Sequence, residues 1–479
     1  MRKINVFIII FLAMFFIARA EVKLPHIFGD NMVIQRDKTV KIWGWADKGE
    51  KVSVSFLQQT KSTKADKAGN WSVTLQATAY GGPYTLKVSG KKNEIVLNNV
   101  LVGDVWLCSG QSNMEMPVNG WGKVYDFEKE IANANYPEIR HFLVEKNISD
   151  KPLDDMNGVW KVCSPQTVSE FTATGYFFAR KLYQELGIPI GILHSSWGGT
   201  GIETWTSAGT FDQLPQLFRD QYKDKDIKGD FETFKKENNN SPNAYYSLLY
   251  NAMINPVIQF SIKGAIWYQG EHNAGQAYNY RTLFPTLIKD WRAKWGDDFP
   301  FYWVQLANYM AKDNEPAESG WAALREAQTM TLSLPNTGQA VITDIGDGAD
   351  IHPRNKQDVG LRLALIALNK TYGKKSVVYS GPTFKSMEIK GNDAVITFDN
   401  IAKGLVCTNK YGYVEGFAIA GADNKFHWAK AYIEGNKVVV SSDKVAKPVA
   451  VRYQWSNNPD VNLFNSEGLP AGAFKTDEH

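Results

Sequence analysis

Apolar and polar positions alternate with a period of two in four runs between residues 22 and 98: Val40–Trp45, Val52–Phe56, Trp71–Leu75 and Tyr84–Val88. That period belongs to a half-buried strand, whose side chains point to opposite faces in turn. Asp47-Lys48-Gly49, Ala68-Gly69-Asn70 and Gly81-Gly82-Pro83 supply turns between the runs. Short strands at this spacing predict a small β-sandwich, a scaffold first and a carbohydrate-contacting module second. From residue 99 the pattern changes. The apolar run Leu101–Leu107 predicts a buried strand. Gly175, Phe178, Ala179, Leu182 and Leu186 share one face of a helix that stops at Gly187. Further strands are predicted at 188–193, 262–268, 301–306 and 340–345, and helices at 243–254, 280–295 and 357–368. Strand–loop–helix repeats predict a parallel sheet with helices on both faces. Residues 206–242, charged, Asn-rich and weakly periodic, read as an insertion over or beside a site. After Gly373 the two-residue period returns at 394–398, 416–420, 437–441 and 449–455, followed by a tail docked through Leu463, Phe464 and Phe474. The predicted organisation is a leader (1–20), an N-terminal β domain (21–98), an α/β domain (99–375), and a C-terminal β domain with its tail (376–479).

The leader is read from its own pattern. Arg2 and Lys3 precede an apolar run, Ile4–Ile17, and Ala18-Arg19-Ala20 offers a small-x-small cleavage site. The run is short of the about 20 residues that cross a membrane, so a cleaved signal and an exported, periplasmic or extracellular protein are expected rather than a stable membrane anchor. Removing Arg2, Lys3 and Arg19 balances the chain's formal charge of +3 to zero. A neutral chain lacks the basic excess that nucleic acid requires. The three cysteines, Cys108, Cys163 and Cys407, have no metal-ligand spacing and cannot make a disulfide framework. No metal and no cofactor are expected. Oligomeric state is not legible.

In parallel sheets with helices on both faces, ligands bind at the carboxyl ends of the strands. Four polar segments follow predicted strands or sit on the loop before the last helix. Ser112, in Ser109-Gly110-Gln111-Ser112-Asn113, is the nucleophile candidate, although a serine there also suits a helix N-cap. Gly198-Gly199 can bring a bare backbone N–H against a ligand. Gln269, after Trp267-Tyr268, can offer a side-chain amide to an oxyanion. His352, in Asp347-Gly348-Ala349-Asp350-Ile351-His352-Pro353, brings a base together with carboxylates to orient it. Among the seven histidines, His26 and His427 fall in the β domains, His141 has no motif, His194 continues an apolar strand and His479 is the last residue. His272 is the rival, but its one nearby acid, Glu271, is adjacent and points the other way on an extended chain.

Taken together, Gly110-Gln111-Ser112-Asn113-Met114, Ser196-Trp197-Gly198-Gly199-Thr200, Trp267-Tyr268-Gln269-Gly270-Glu271 and Asp350-Ile351-His352-Pro353 resemble the sequence blocks of the sialate O-acetylesterase family, within the SGNH hydrolase superfamily. Leu249–Ile254, Asp290-Trp291-Arg292 and Asn465–Pro470 extend the resemblance toward the end of the chain. It implies a three-layer α/β/α hydrolase domain flanked by β-sandwich-like domains. It implies a serine esterase that removes O-acetyl groups from sialic acids or related sugars through an acetyl-enzyme. Ser112 would be the nucleophile and His352 the base. The oxyanion would rest on the N–H groups of Ser112 and Gly199 and on Gln269, with Glu271 and Asn113 in support. The superfamily sets its acid three residues before the histidine, where this chain has Ala349. Asp350, Asp347 or no carboxylate completes the set. The rival functions are an acetyl esterase for another polysaccharide, such as xylan or pectin, and a non-catalytic carbohydrate-binding protein.

Overall fold

The computed structural model describes residues 21–222, 227 and 230–477. The expected leader, 1–20, lies outside the described residues. At the centre is one long strand, Glu94–Gly110, buried without interruption from Val100 onward. Its side chains alternate between two cores, as the strand period requires. Val105 and Leu107 join the core that contains Trp291 and Leu283. Trp106 and Cys108 join the one that contains Phe178 and Leu363. Neighbours pair with it in parallel on both sides, Ile190–Ser196 on one and Gly264–Tyr268 on the other. The sheet extends through Phe301–Val304 to Thr337–Ala340 at one edge, and through Tyr136–Leu143 to the antiparallel strand Trp160–Cys163 at the other.

Helices cover both faces. Ala173–Leu186 packs against Lys356–Lys370, so closely that Gly360 lies against the Phe177 side chain and the Phe178 backbone. On the opposite face, Ala277–Trp295 packs beside Gly320–Met330. Gly187 ends the first of these helices in the left-handed conformation, as its place after Leu186 predicts.

The division expected at residues 98/99 falls inside the central strand. The first half of that strand pairs with Gly81–Ser89 and Val33–Gln35, and the second half belongs to the parallel sheet. Gly81-Gly82-Pro83, read as a turn, begins a strand instead. A further strand, Gln59–Lys64, has no apolar period and escaped notice because its side chains are largely exposed. Two other readings are corrected. The helix expected at 243–254 is confined to its last turn, Tyr250–Ile254, and a 3-10 turn, Asn255–Val257, then carries Pro256 near its start, where a missing N–H does no harm. The strand expected at 340–345 is Thr337–Ala340, which ends where its sheet neighbour, Phe301–Val304, ends. The charged segment 206–242 holds three short helices among its described residues: Ala208–Phe211, Gln216–Asp220 and Phe231–Glu237. Beyond residue 376 the chain forms small antiparallel sheets that take in Leu463–Asn465 and Phe474–Lys475. Among the described residues no helix is long and apolar enough to cross a membrane.

Candidate active site

Register brings the polar segments together. On the central strand Gly110 lies opposite Ser196 on one neighbour and Tyr268 on the other. Three carboxyl ends therefore meet at one point, and the residues that follow each are forced into the same cleft. Gly110 has φ +135°, and a Cβ there would stand 2.1 Å from Tyr268 O. Only glycine allows the chain to turn so close to its neighbour. The turn is clipped on both sides: Gln111 N donates to Tyr268 O at 2.9 Å, and Trp197 N to Gly110 O at 3.1 Å. Ser112 is then the first residue of a one-turn helix, Ser112–Glu115, with Gln111 at its cap position. The cap reading of Ser112 is thereby replaced, and its hydroxyl is free to face elsewhere.

It faces His352. Nε2 of that ring lies 3.0 Å from Ser112 Oγ, although 240 residues separate them. His352 Nδ1 is 3.3 Å from Asp350 Oδ1, an oxygen that also accepts the His352 backbone N–H at 2.9 Å. Asp347 is turned into its own loop, where Oδ1 accepts from Ala349 N. The ring is half-buried and meets Trp121 edge to face at 4.8 Å. Burial holds the imidazole below its ordinary pKa, and the Lys356 ammonium adds to this while Asp350 opposes it. His272, the rival, is exposed, and its backbone N–H goes to Gln111 Oε1.

The glycine loop closes the other wall. A Cβ on Gly198 would come within 3.1 Å of Ser112 Cβ. Gly198 N donates to Glu115 Oε2 at 2.6 Å, and Asn243 Nδ2 donates to Gly199 O at 2.8 Å. Gly199 itself is exposed with φ +73°. No described residue accepts from the Ser112 or the Gly199 N–H.

Gln269 departs from expectation. Its side chain is fully buried, and both amide hydrogens are spent, on Thr200 O at 3.1 Å and Asn273 Oδ1 at 2.7 Å. Its Oε1 accepts from Tyr280 OH at 2.8 Å. In this arrangement it has no donor left for an oxyanion, and instead anchors the carbonyl that follows Gly199. Asn113 and Glu271 lie beneath the serine turn: Asn113 Nδ2 donates to Glu271 Oε1 at 2.6 Å and to Ile351 O at 3.0 Å. Burial raises the Glu271 carboxyl above its usual range. Sequence reasoning missed Glu115, Asn243, Trp121 and Lys356. Glu115 carried a faint signal, three residues after the serine on the same short helix. No cluster of three His, Cys, Asp or Glu among the described residues is arranged to hold a metal ion.

Comparison with known proteins shows the family. Residues 102–368 match the family model described as carbohydrate esterase, sialic acid-specific acetylesterase. The chain is 32% identical to the sialate O-acetylesterase of Mus musculus, over 90% of this chain and 89% of that protein. It is 32% identical to the Homo sapiens enzyme of the same name, over 93% and 90%. A solved structure of a carbohydrate acetylesterase from Xanthomonas citri superposes with a TM-score of 0.86 at 44% identity, covering 96% of this chain and all of that one.

Proposed function

The chain belongs to the sialic acid-specific acetylesterase family of carbohydrate esterases and is an esterase, and from that premise we propose that it removes O-acetyl groups from sugars through a serine-bound acetyl intermediate. One observation carries the mechanism: Ser112 Oγ lies 3.0 Å from His352 Nε2, beside two backbone N–H groups that no described residue uses. His352 takes the proton as Ser112 Oγ attacks the acetyl carbonyl. The oxyanion that forms rests on the N–H groups of Ser112 and Gly199. As the C–O bond to the sugar breaks, His352 returns the proton to the departing sugar oxygen. A water, deprotonated by the same ring, then releases acetate and restores the serine. Asp350 steadies the protonated ring. Gln269 acts behind this machinery, holding Thr200 and with it the Gly199 peptide.

O-acetylated sialic acids are the first substrates to expect, because the mammalian relatives carry that name. Another acetylated glycan is the second reading, favoured by the higher identity to the Xanthomonas carbohydrate acetylesterase. The pattern of residues 1–20 supports export. Acetate release from O-acetylated sialosides, acetylated xylan and acetylated pectin, each measured against Ser112→Ala, tests the reading. Release by the wild type alone supports it, and the preferred glycan decides between the two substrates. Equal release by both proteins removes Ser112 from the mechanism.

A further inference from the structure

His352 stands between two residues whose carbonyls are both held from below. Ile351 O accepts from Asn113 Nδ2 at 3.0 Å, and Pro353 O accepts from Lys356 Nζ at 2.6 Å. The two donors are themselves joined, for Lys356 Nζ also donates to Asn113 Oδ1 at 2.7 Å, and Asn113 is the residue after Ser112. We propose that Lys356 is the positioning residue of this site, its buried ammonium tying the His352 loop to the serine turn, a task usually given to the acid of a triad. The proposal rests on the reading of Ser112 and His352 above.

The contrast with Asp350 supports it. That carboxylate meets the ring at 3.3 Å with half of its side chain in water, where solvent competes for every hydrogen bond. Lys356 is fully buried at the first turn of the helix Lys356–Lys370. The start of a helix disfavours a cation, and an ammonium out of water is expensive without partners. A methionine would fill the space at less expense, so the charge itself needs a reason. Its surroundings give one: Glu271 across the Asn113 amide, Asp350 and His352 above, and the Tyr268 ring at 5.5 Å. Burial pushes the Lys356 amine down to about 7 and also holds the His352 imidazole below its ordinary value. The charged and titratable groups that face His352 are Asp350, Lys356 and Ser112. Asp350 makes the ring more basic, and Lys356 makes it less so.

The test is the pH profile of kcat/KM on one soluble acetyl ester for the wild type, Lys356→Met and Asp350→Asn, with folding checked by circular dichroism. Lys356→Met is expected to lose about 10²-fold at the plateau, the penalty of a histidine displaced by about 1 Å. Its acid limb moves to higher pH, because a positive neighbour is gone. Asp350→Asn loses less, and its acid limb moves to lower pH. A lowered plateau with an unmoved limb in Lys356→Met is what mere packing predicts, and overturns the proposal. So does a wild-type plateau in that variant. Asp350→Asn changes a surface side chain and keeps the question open to refutation even where Lys356→Met does not fold: a loss on the order of 10⁴-fold there, as for a triad acid, transfers the role to Asp350. Ser112→Ala, run alongside, separates the two levels, since its activity tests the serine reading whatever Lys356 does.

Discussion

Two serine–histidine contacts sit at the ends of adjacent strands. Ser112 and His352 meet at 3.0 Å across a cleft, on two loops. Ser196 and His194 meet at 2.6 Å within the single strand Ile190–Ser196, and Ser196 lies opposite Gly110, two residues before Ser112. By distance alone the second pair is the better one. It is also buried, with His194 bonded onward to His141 at 3.2 Å, and burial drives the His194 imidazole down to about 3. A ring that cannot hold a proton near neutral pH cannot relay one, and a serine inside a sheet meets no substrate. The lesson is that catalysis is conferred by what surrounds a contact. Ser112 has a turn, two undirected N–H groups and a ring that is only half-buried beside a carboxylate. Ser196 has a partner only.

The largest expected difference is between Ser112→Ala and Ser196→Ala. The first should lower kcat/KM by on the order of 10⁴-fold or more and keep the fold. The second should stay within about tenfold of wild type in kcat/KM while losing roughly 1–3 kcal/mol of stability, because it strands a buried imidazole nitrogen. A dead, folded Ser196→Ala would exchange the roles of the two pairs. His352→Ala should match Ser112→Ala, and the double variant should be little worse than either, since residues of one unit are not additive. Full additivity would place His352 outside the unit.

Next in size is a divergence in pH response. As the proposed base His352 acts only when neutral, and burial holds its pKa below the ordinary value, so kcat/KM should begin to fall only at a pH lower than that at which an ordinary histidine takes up its proton. The buried pair should appear in stability instead. Unfolded His194 protonates near its ordinary value of 6.5, but folded His194 does so only at about 3. Its contribution is therefore complete above pH 6.5 and lost as pH falls toward 3, on the order of a few kcal/mol at the acid end. Denaturant midpoints and kcat/KM measured on the same pH series separate the two. Smallest is Gln269→Ala. With both amide hydrogens committed to Thr200 and Asn273, it should lower the melting temperature clearly and kcat modestly. A loss of 10²-fold or more in kcat at unchanged stability would restore it as an oxyanion donor.

Much of this was legible in the chain. The central strand announced itself by its apolar run, and Ser112 by the break in that run at Ser109-Gly110. His352 stood out by its acids, and Gly199 by its neighbour glycine. These are local signals, carried by residues close in sequence. The remainder depends on partners far along the chain. The orientation of an amide cannot be read from Gln269 alone when Thr200, Asn273 and Tyr280 decide it. Lys356 looked like an ordinary residue before a predicted helix at 357–368, and only the packing of that helix under Asn113 shows otherwise. The boundary at 98/99 was drawn where the period changed. Period reports which faces are buried, not whether a strand continues.

That continuity bears on how the protein comes to be made. The half of the strand at Glu94–Gly110 that pairs with Gly81–Ser89 finds a partner already synthesised, a few residues behind it. The other half must wait for Ile190–Ser196 and Gly264–Tyr268, some 80 to 160 residues later in synthesis. In that interval most of the apolar run Leu101–Cys108 is bare on both edges, because the pairing with Gly81–Ser89 reaches only Val102. Parallel pairing over such separations is slow, and unpaired apolar strands attract one another. The N-terminal β region thus gives the newborn chain a fixed root for the serine strand, from which the rest extends until the sheet assembles around it.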